Sequence, residues 1–101
     1  MNAMGYRVSP VEVEDALAGT PDVAEVAVST LDVGDGVSII CAWVVPAAGA
    51  DPQSLRQRVL DRAAERLAPY KRPREVRVLE ALPRTANGKV VRRDLRDLAG
   101  P

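Results

Sequence analysis

Histidine and phenylalanine are absent from this sequence of 101 residues, cysteine and tryptophan occur once each, and aromatic residues make up only 3%. Without an imidazole, histidine-based acid–base catalysis is excluded. Cys41 alone can build neither a disulfide framework nor a Cys/His zinc site, so no metal centre is expected. No apolar run approaches the roughly 18 residues of a membrane-spanning helix, and no basic segment leads into an apolar one at the start. A soluble domain, placed in the cytoplasm, is the expectation. With so few rings there is little material for a base-stacking platform, which argues against nucleic acid as the partner.

What is present suits a small globular unit. Apolar residues make up 47% and charged residues 28%, enough to bury a core in a single domain of ordinary size. The net charge of zero hides a division. Residues 1–50 hold one basic residue, Arg7, against seven acidic ones, and residues 51–101 hold thirteen basic against seven acidic, giving −6 and +6. The second half is where an anionic ligand would be attracted. A merely solvated distribution of charge is the plainer alternative.

Ser9-Pro10-Val11-Glu12 reads as a helix start: Ser9 can cap, Pro10 suits the first helical position and Glu12 completes a capping box. Val13, Ala16 and Leu17 share a face and Gly19 is a natural stop, predicting a helix over 10–19. Residues 23–31 alternate in hydrophobicity and read as a half-buried strand. After turn residues at 32–36, the run 37–45 is nearly all apolar, as expected of a central strand covered on both faces. Asp51-Pro52 opens a second helix, on which Leu55, Val59, Ala63 and Leu67 recur every fourth position. A third strand is predicted over 74–79, a tight turn at Asn87-Gly88, and a last helix from Val91 with Leu95 and Leu98 on its stripe. The fold class predicted is α+β: a small three-stranded, mainly antiparallel sheet flanked by helices, with hairpin elements at both ends. The opening residues start in mid-pattern, as in a piece of something longer.

The stretch from Leu82 to Arg93 carries the most chemical information. Asn87-Gly88 favours a sharp reversal that would hold Lys89 near the tip of a stiff loop. On the residues alone, an ordinary solvated lysine in a hairpin remains the commoner reading. Leu82-Pro83-Arg84-Thr85-Ala86-Asn87-Gly88-Lys89 nevertheless resembles the final motif of the adenylate-forming enzymes, which include acyl- and aryl-CoA synthetases, peptide-synthetase adenylation domains and luciferases. Gly5-Tyr6-Arg7-Val8-Ser9-Pro10-Val11-Glu12-Val13-Glu14 resembles the motif after that family's interdomain hinge, and Tyr70-Lys71-Arg72-Pro73 its Tyr-Lys-x-Pro element. The three stand in the family's order and bracket almost the whole sequence.

The resemblance implies that residues 1–101 are the single, mobile C-terminal domain of such an enzyme, with the large N-terminal domain as its partner and absent here. It implies ATP with magnesium and coenzyme A as the cofactors, most nucleotide contacts coming from that larger domain, and a carboxylic acid as substrate. Lys89 matches the lysine that serves acyl-adenylate formation, on a turn supported by Asn87 and Gly88. After rotation of the domain, Gly5, Tyr6 and Arg7 would line the coenzyme A channel for thioester formation. Lys71 and Arg72 are candidate phosphate contacts. Arg62, Arg66 and Arg74 are further basic residues among which nothing in the sequence chooses. A protein lysine acetyltransferase acting on Lys89 is a further implied partner, because acetylation removes the charge adenylation needs. Severed from its partner domain, the chain is expected to be inactive. Pro83-Arg84-Thr85 favours a CoA ligase over a peptide-synthetase domain loading a carrier protein. A stand-alone anion- or nucleic-acid-binding module and a purely structural domain are the rivals of other classes. Tyr70 and Pro73 are read as packing and turn residues, Cys41 and Trp43 as core, and Arg7 as alternatively paired with Glu12 or Glu14.

Overall fold

In the computed structural model, which describes residues 1–98, Met4 and Gly5 both take positive φ, 52° and 83°. That is the geometry of a type I′ turn, and it closes the first residues into a hairpin of β1 (Asn2–Ala3) and β2 (Tyr6–Arg7). The Met4 amide donates to the Ser38 carbonyl at 2.9 Å, and Ala3 and Val8 are buried, so the hairpin is fastened to the body of the domain.

Helix α1 (Pro10–Leu17) begins as its sequence dictates. Ser9 Oγ accepts from the Glu12 amide at 3.3 Å, Pro10 occupies the first turn, and Val13 and Leu17 are fully buried. It ends two residues before the predicted limit, because Ala18 turns extended and Gly19 follows at φ +84°. Its last carbonyls are served from elsewhere: Arg62 donates to Ala16 O and Ala18 O at 2.9 and 3.0 Å.

Strands β3 (Val23–Gly34) and β4 (Val37–Pro46) form a long antiparallel ladder around Asp35-Gly36, both at positive φ. β3 runs three residues beyond the predicted 31, carried through an irregularity between Asp32 and Gly34 and by the Ser38 hydroxyl donating to Asp32 at 2.6 Å. Helix α2 (Pro52–Arg66) crosses over to β5 (Glu75–Val78), which pairs with β4 in parallel. A parallel neighbour requires such a crossover. The sheet order is β3-β4-β5, so the predicted α+β class holds, with the longer ladder antiparallel. Asp51 caps α2 by accepting from the Ser54 amide and hydroxyl, which holds its carboxyl below the usual range. A 3-10 turn (Pro69–Lys71) precedes β5, and α3 (Arg92–Leu98) closes the described chain.

The sheet is covered on both faces. On one, Val28, Ile40, Ala42, Val44 and Val76 pack with Val13, Leu17, Leu55 and Val59 from α1 and α2. On the other, Ala27, Leu31, Cys41, Trp43 and Val45 pack against Leu82 and Leu95. Strand β3, expected to be half buried, is therefore buried on both sides from Ala27 to Ser29, because the segment before α3 folds back over its second face. Leu98, expected on the apolar stripe, is 56% exposed among the described residues, and Leu95 alone anchors α3. No helix among the described residues is long and apolar enough to cross a membrane.

Cys41 and Trp43 are core residues, as the sequence indicated. Burial, helped by the Glu75 carboxylate opposite, pushes the Cys41 thiol up to about 12. Because the thiolate is the reactive form, a thiol-labelling reagent at pH 8 is expected to spare the native chain and modify it fully in denaturant. Equal labelling in both would contradict this burial.

Candidate functional site

The Lys89 loop is a hairpin built on different turn residues from those expected. The Gly88 amide donates to Thr85 O at 2.9 Å and the Thr85 amide to Lys89 O at 2.8 Å. Ala86 and Asn87 therefore form the centre of the turn, and Gly88, at φ +85°, is the left-handed residue that closes it. Asn87 does not take positive φ. A turn followed by one left-handed residue is the usual three-residue hairpin loop. The Lys89 amide is held by Thr85 Oγ1 at 3.2 Å, Arg84 pairs across with Val90, and the Val91 amide reaches Pro83 O at 3.0 Å. The Lys89 ammonium is exposed and has no carboxylate or hydrogen-bond partner among the described residues. A charged head on a flexible stem is thus presented by a pinned backbone.

The Gly5 turn lies elsewhere. Its hairpin packs with the α1/α2 face of the sheet through Ala3 and Val8, whereas the Lys89 hairpin packs on the opposite face through Leu82 and Val90. The two sequence-predicted sites are not brought together. A Cβ added at Gly5 would meet nothing within 4 Å, so φ of +83°, rather than crowding inside the domain, is what favours glycine there. Arg7 is exposed and pairs with neither Glu12 nor Glu14, since Glu12 accepts from Lys71 at 2.7 Å and Glu14 from Arg92 at 2.6 Å.

Beside the Gly5 turn, Met4, Tyr6, Pro69, Tyr70 and Arg74 line an open cleft of about 270 Å³. The Tyr6 and Tyr70 rings stand 4.9 Å apart at a tilt of 33°, and the Lys71 ammonium lies 5.5 Å from the centre of the Tyr70 ring. The hydrogen bond that Lys71 donates to the Glu12 carboxylate raises its ammonium above the ordinary range. Tyr70, read from sequence as packing, is 44% exposed; Pro73 is buried as expected. Sequence reasoning missed the Tyr6–Tyr70 pair, since residues so far apart along the chain leave no periodic signal.

The basic second half proves largely committed to the fold. Arg62 serves the end of α1, Arg72 donates to Leu67 O and Ala64 O at the end of α2, and Arg56 donates to Val76 O. Each of the four ion pairs among the described residues joins a carboxylate of the first half to a cation of the second: Asp22–Arg58, Glu12–Lys71, Glu25–Arg84 and Glu14–Arg92. The division of charge seen in the sequence was the signal for this pairing. Arg74 is left exposed at the cleft.

With this geometry in view, comparison with known proteins is specific. The AMP-binding enzyme C-terminal domain family matches residues 12–89, more than half of the chain. The acetyl-coenzyme A synthetase of Mycolicibacterium smegmatis is 39% identical over 98% of this chain and 11% of its own length. A mitochondrial acyl-coenzyme A synthetase of Mus musculus, ACSM1, is 39% identical over 96% of this chain and 18% of its own. Among solved structures, the anthranilate CoA ligase AuaEII in complex with anthranoyl-AMP superposes with a TM-score of 0.88 at 35% identity, covering 98% of this chain and 19% of that one. ATP-bound MatB from Rhodopseudomonas palustris gives 0.86 at 31%, covering 97% and 19%. The chain thus spans between a tenth and a fifth of the length of these relatives, and it belongs to the AMP-binding enzyme C-terminal domain family.

Proposed function

We propose that this domain serves two successive steps of an acyl- or aryl-CoA ligase from its two opposite sides. In the first, Lys89 reaches into the site held by a large N-terminal domain, where a carboxylate attacks the α-phosphorus of ATP and pyrophosphate leaves. Negative charge accumulates on the phosphoryl oxygens in the transition state, and a compact ammonium that need not first break an ion pair meets it at least cost in reorganisation. In the second, the domain turns to bring the Gly5 hairpin to the acyl-adenylate; the thiol of coenzyme A attacks the acyl carbon and AMP leaves with the bonding electron pair. The cleft of Tyr6, Tyr70 and Arg74, with Lys71 at its rim, offers flat apolar rings and positive charge suited to the nucleotide end of coenzyme A. Arg7 and Arg72 sit on the same side of the reading, Arg72 mainly as a brace for α2.

The observation that carries this reading is the separation of the Lys89 and Gly5 turns onto opposite faces of one sheet. One fixed orientation cannot present both to a single acyl group, and rotation of the domain resolves that. The same unpaired ammonium is open to reversible acetylation, which would cancel its charge and stop the first step. The test is to assay the complete enzyme with ATP and a panel of acids for pyrophosphate exchange, then for thioester formation with free coenzyme A and with a carrier-protein thiol. Exchange followed by transfer to free coenzyme A is expected. Transfer only to the carrier protein, or no exchange with any acid, overturns the reading.

A further inference from the structure

We infer that Glu14 is a positioning residue for Lys89, acting through Arg92 with the Arg84–Glu25 pair as its counterpart. The inference rests on the adenylation role proposed for Lys89 and adds residues that the motifs did not single out for it.

The hairpin that bears Lys89 is joined to none of the three sheet strands; its one ladder contact is internal, between Arg84 and Val90. Something other than sheet pairing must set its orientation on the domain. On the stem after Lys89, Arg92 donates through Nε and Nη2 to the two oxygens of Glu14 at 3.2 and 2.6 Å. Such a two-bond fork fixes direction as well as distance. Glu14 is itself immobilised, because its Oε2 also accepts from the amide of Val28 on β3 at 2.8 Å and its side chain is only 17% exposed. One carboxylate thus ties together α1, the edge strand β3 and the start of α3. On the stem before Lys89, Arg84 donates to Gly88 O at 2.7 Å and pairs with Glu25 of β3. Both stems are gripped by acidic residues of the first half, and the Lys89 side chain between them has no hydrogen-bond or ion-pair partner among the described residues. The apolar anchors Leu82, Val90 and Leu95 hold the segment against the sheet, but apolar contacts are not directional.

A lysine that reaches across a domain boundary inherits any tilt of its hairpin, and a misplacement of about 1 Å in a positioning element can cost on the order of 100-fold in rate. Release of the Arg92 fork is therefore expected to weaken adenylation and spare thioester formation, which uses the other face. The experiment measures both half-reactions in the complete enzyme: pyrophosphate exchange, and thioester formation from preformed acyl-adenylate and coenzyme A. The variants are Glu14→Gln, Arg92→Gln, Arg92→Lys, the Glu14→Gln/Arg92→Gln double and Lys89→Met. Glutamine at 14 keeps an acceptor for the Val28 amide. Each single glutamine variant is expected to lower exchange by roughly 10- to 100-fold; the double falls no further, since the two residues act as one unit, and Arg92→Lys recovers part of the loss. In parallel, faster amide hydrogen exchange at Gly88 and Lys89, with Val44 of the central strand unchanged, is expected in the glutamine variants. Additive losses in the double variant, equal losses in both half-reactions, or unchanged exchange in Arg92→Gln when Lys89→Met is impaired would each overturn the inference. If Lys89→Met itself adenylates normally, the function proposed for Lys89 fails, and this inference with it.

Discussion

Lys89→Met in the complete enzyme is expected to slow acyl-adenylate formation by about 10²- to 10³-fold, the usual loss when one charged or hydrogen-bonding stabiliser of a transition state is removed. Methionine keeps most of the side-chain length and removes the charge, so the loss reports electrostatics rather than packing. The substitution is structurally benign, since the ammonium is exposed and bonded to nothing among the described residues. The fall belongs in kcat of adenylation, with thioester formation from supplied acyl-adenylate retained. Arginine is expected to restore little, because a planar guanidinium is broader and its donors are fixed in a fork. Rapid-quench measurement of acyl-adenylate in a single turnover is the decisive assay. A Lys89→Met enzyme that adenylates at the unmodified rate would end the proposed role.

Trp43→Ala is expected to be the most destabilising single change in the core, at about 3–5 kcal/mol. The ring is 1% exposed at the middle of the central strand, packed with Ala27, Leu31 and Leu82 in the smaller of the two apolar clusters. Its Nε1 donates to Ser29 Oγ at 2.8 Å, and Ser29 is itself buried. Truncation thus empties a large volume and removes the donor that serves the Ser29 hydroxyl. Total stability of a domain is commonly about 5–15 kcal/mol, so the loss is a large fraction of the whole. Trp43→Phe separates the two contributions, as it keeps most of the ring volume and loses only the indole donor; because the Ser29 hydroxyl still donates to Thr30 O at 3.1 Å, its cost is expected near the roughly 0.5–1.5 kcal/mol of one lost hydrogen bond. Urea unfolding followed by circular dichroism checks both, and an alanine variant as stable as the parent would refute the packing described.

Local structure was the legible part of this fold. Ser9-Pro10 and Asp51-Pro52 start the helices where their capping chemistry requires, and the β-branched run of β4 becomes the doubly covered central strand. These features are decided by neighbours within a few residues. The pairing direction of β5 was not legible, for it depends on α2 crossing the sheet rather than on anything in Glu75–Val78 itself. Nor was the burial of β3 on both sides, because alternation in its sequence describes one face and the segment over the other face arrives some fifty residues later. At the site, Lys89 and its left-handed glycine were legible as a turn, but Asn-Gly chemistry pointed to a two-residue reversal where Ala86-Asn87 forms the centre. The aromatic pair of Tyr6 and Tyr70 and the fork between Glu14 and Arg92 were invisible for the same reason: each joins side chains 64 and 78 positions apart.

The ion pairs that cross from one half to the other also give the chain an order in time. Their partners are separated by 36, 59, 59 and 78 residues. A polypeptide made from its N-terminus therefore leaves the ribosome with its acidic portion first, six negative charges in excess. None of the four can close while that portion is alone. Glu14 waits longest of the four acidic partners, until Arg92 has been added, so the grip on the Lys89 hairpin is the one of these pairs that spans the most chain.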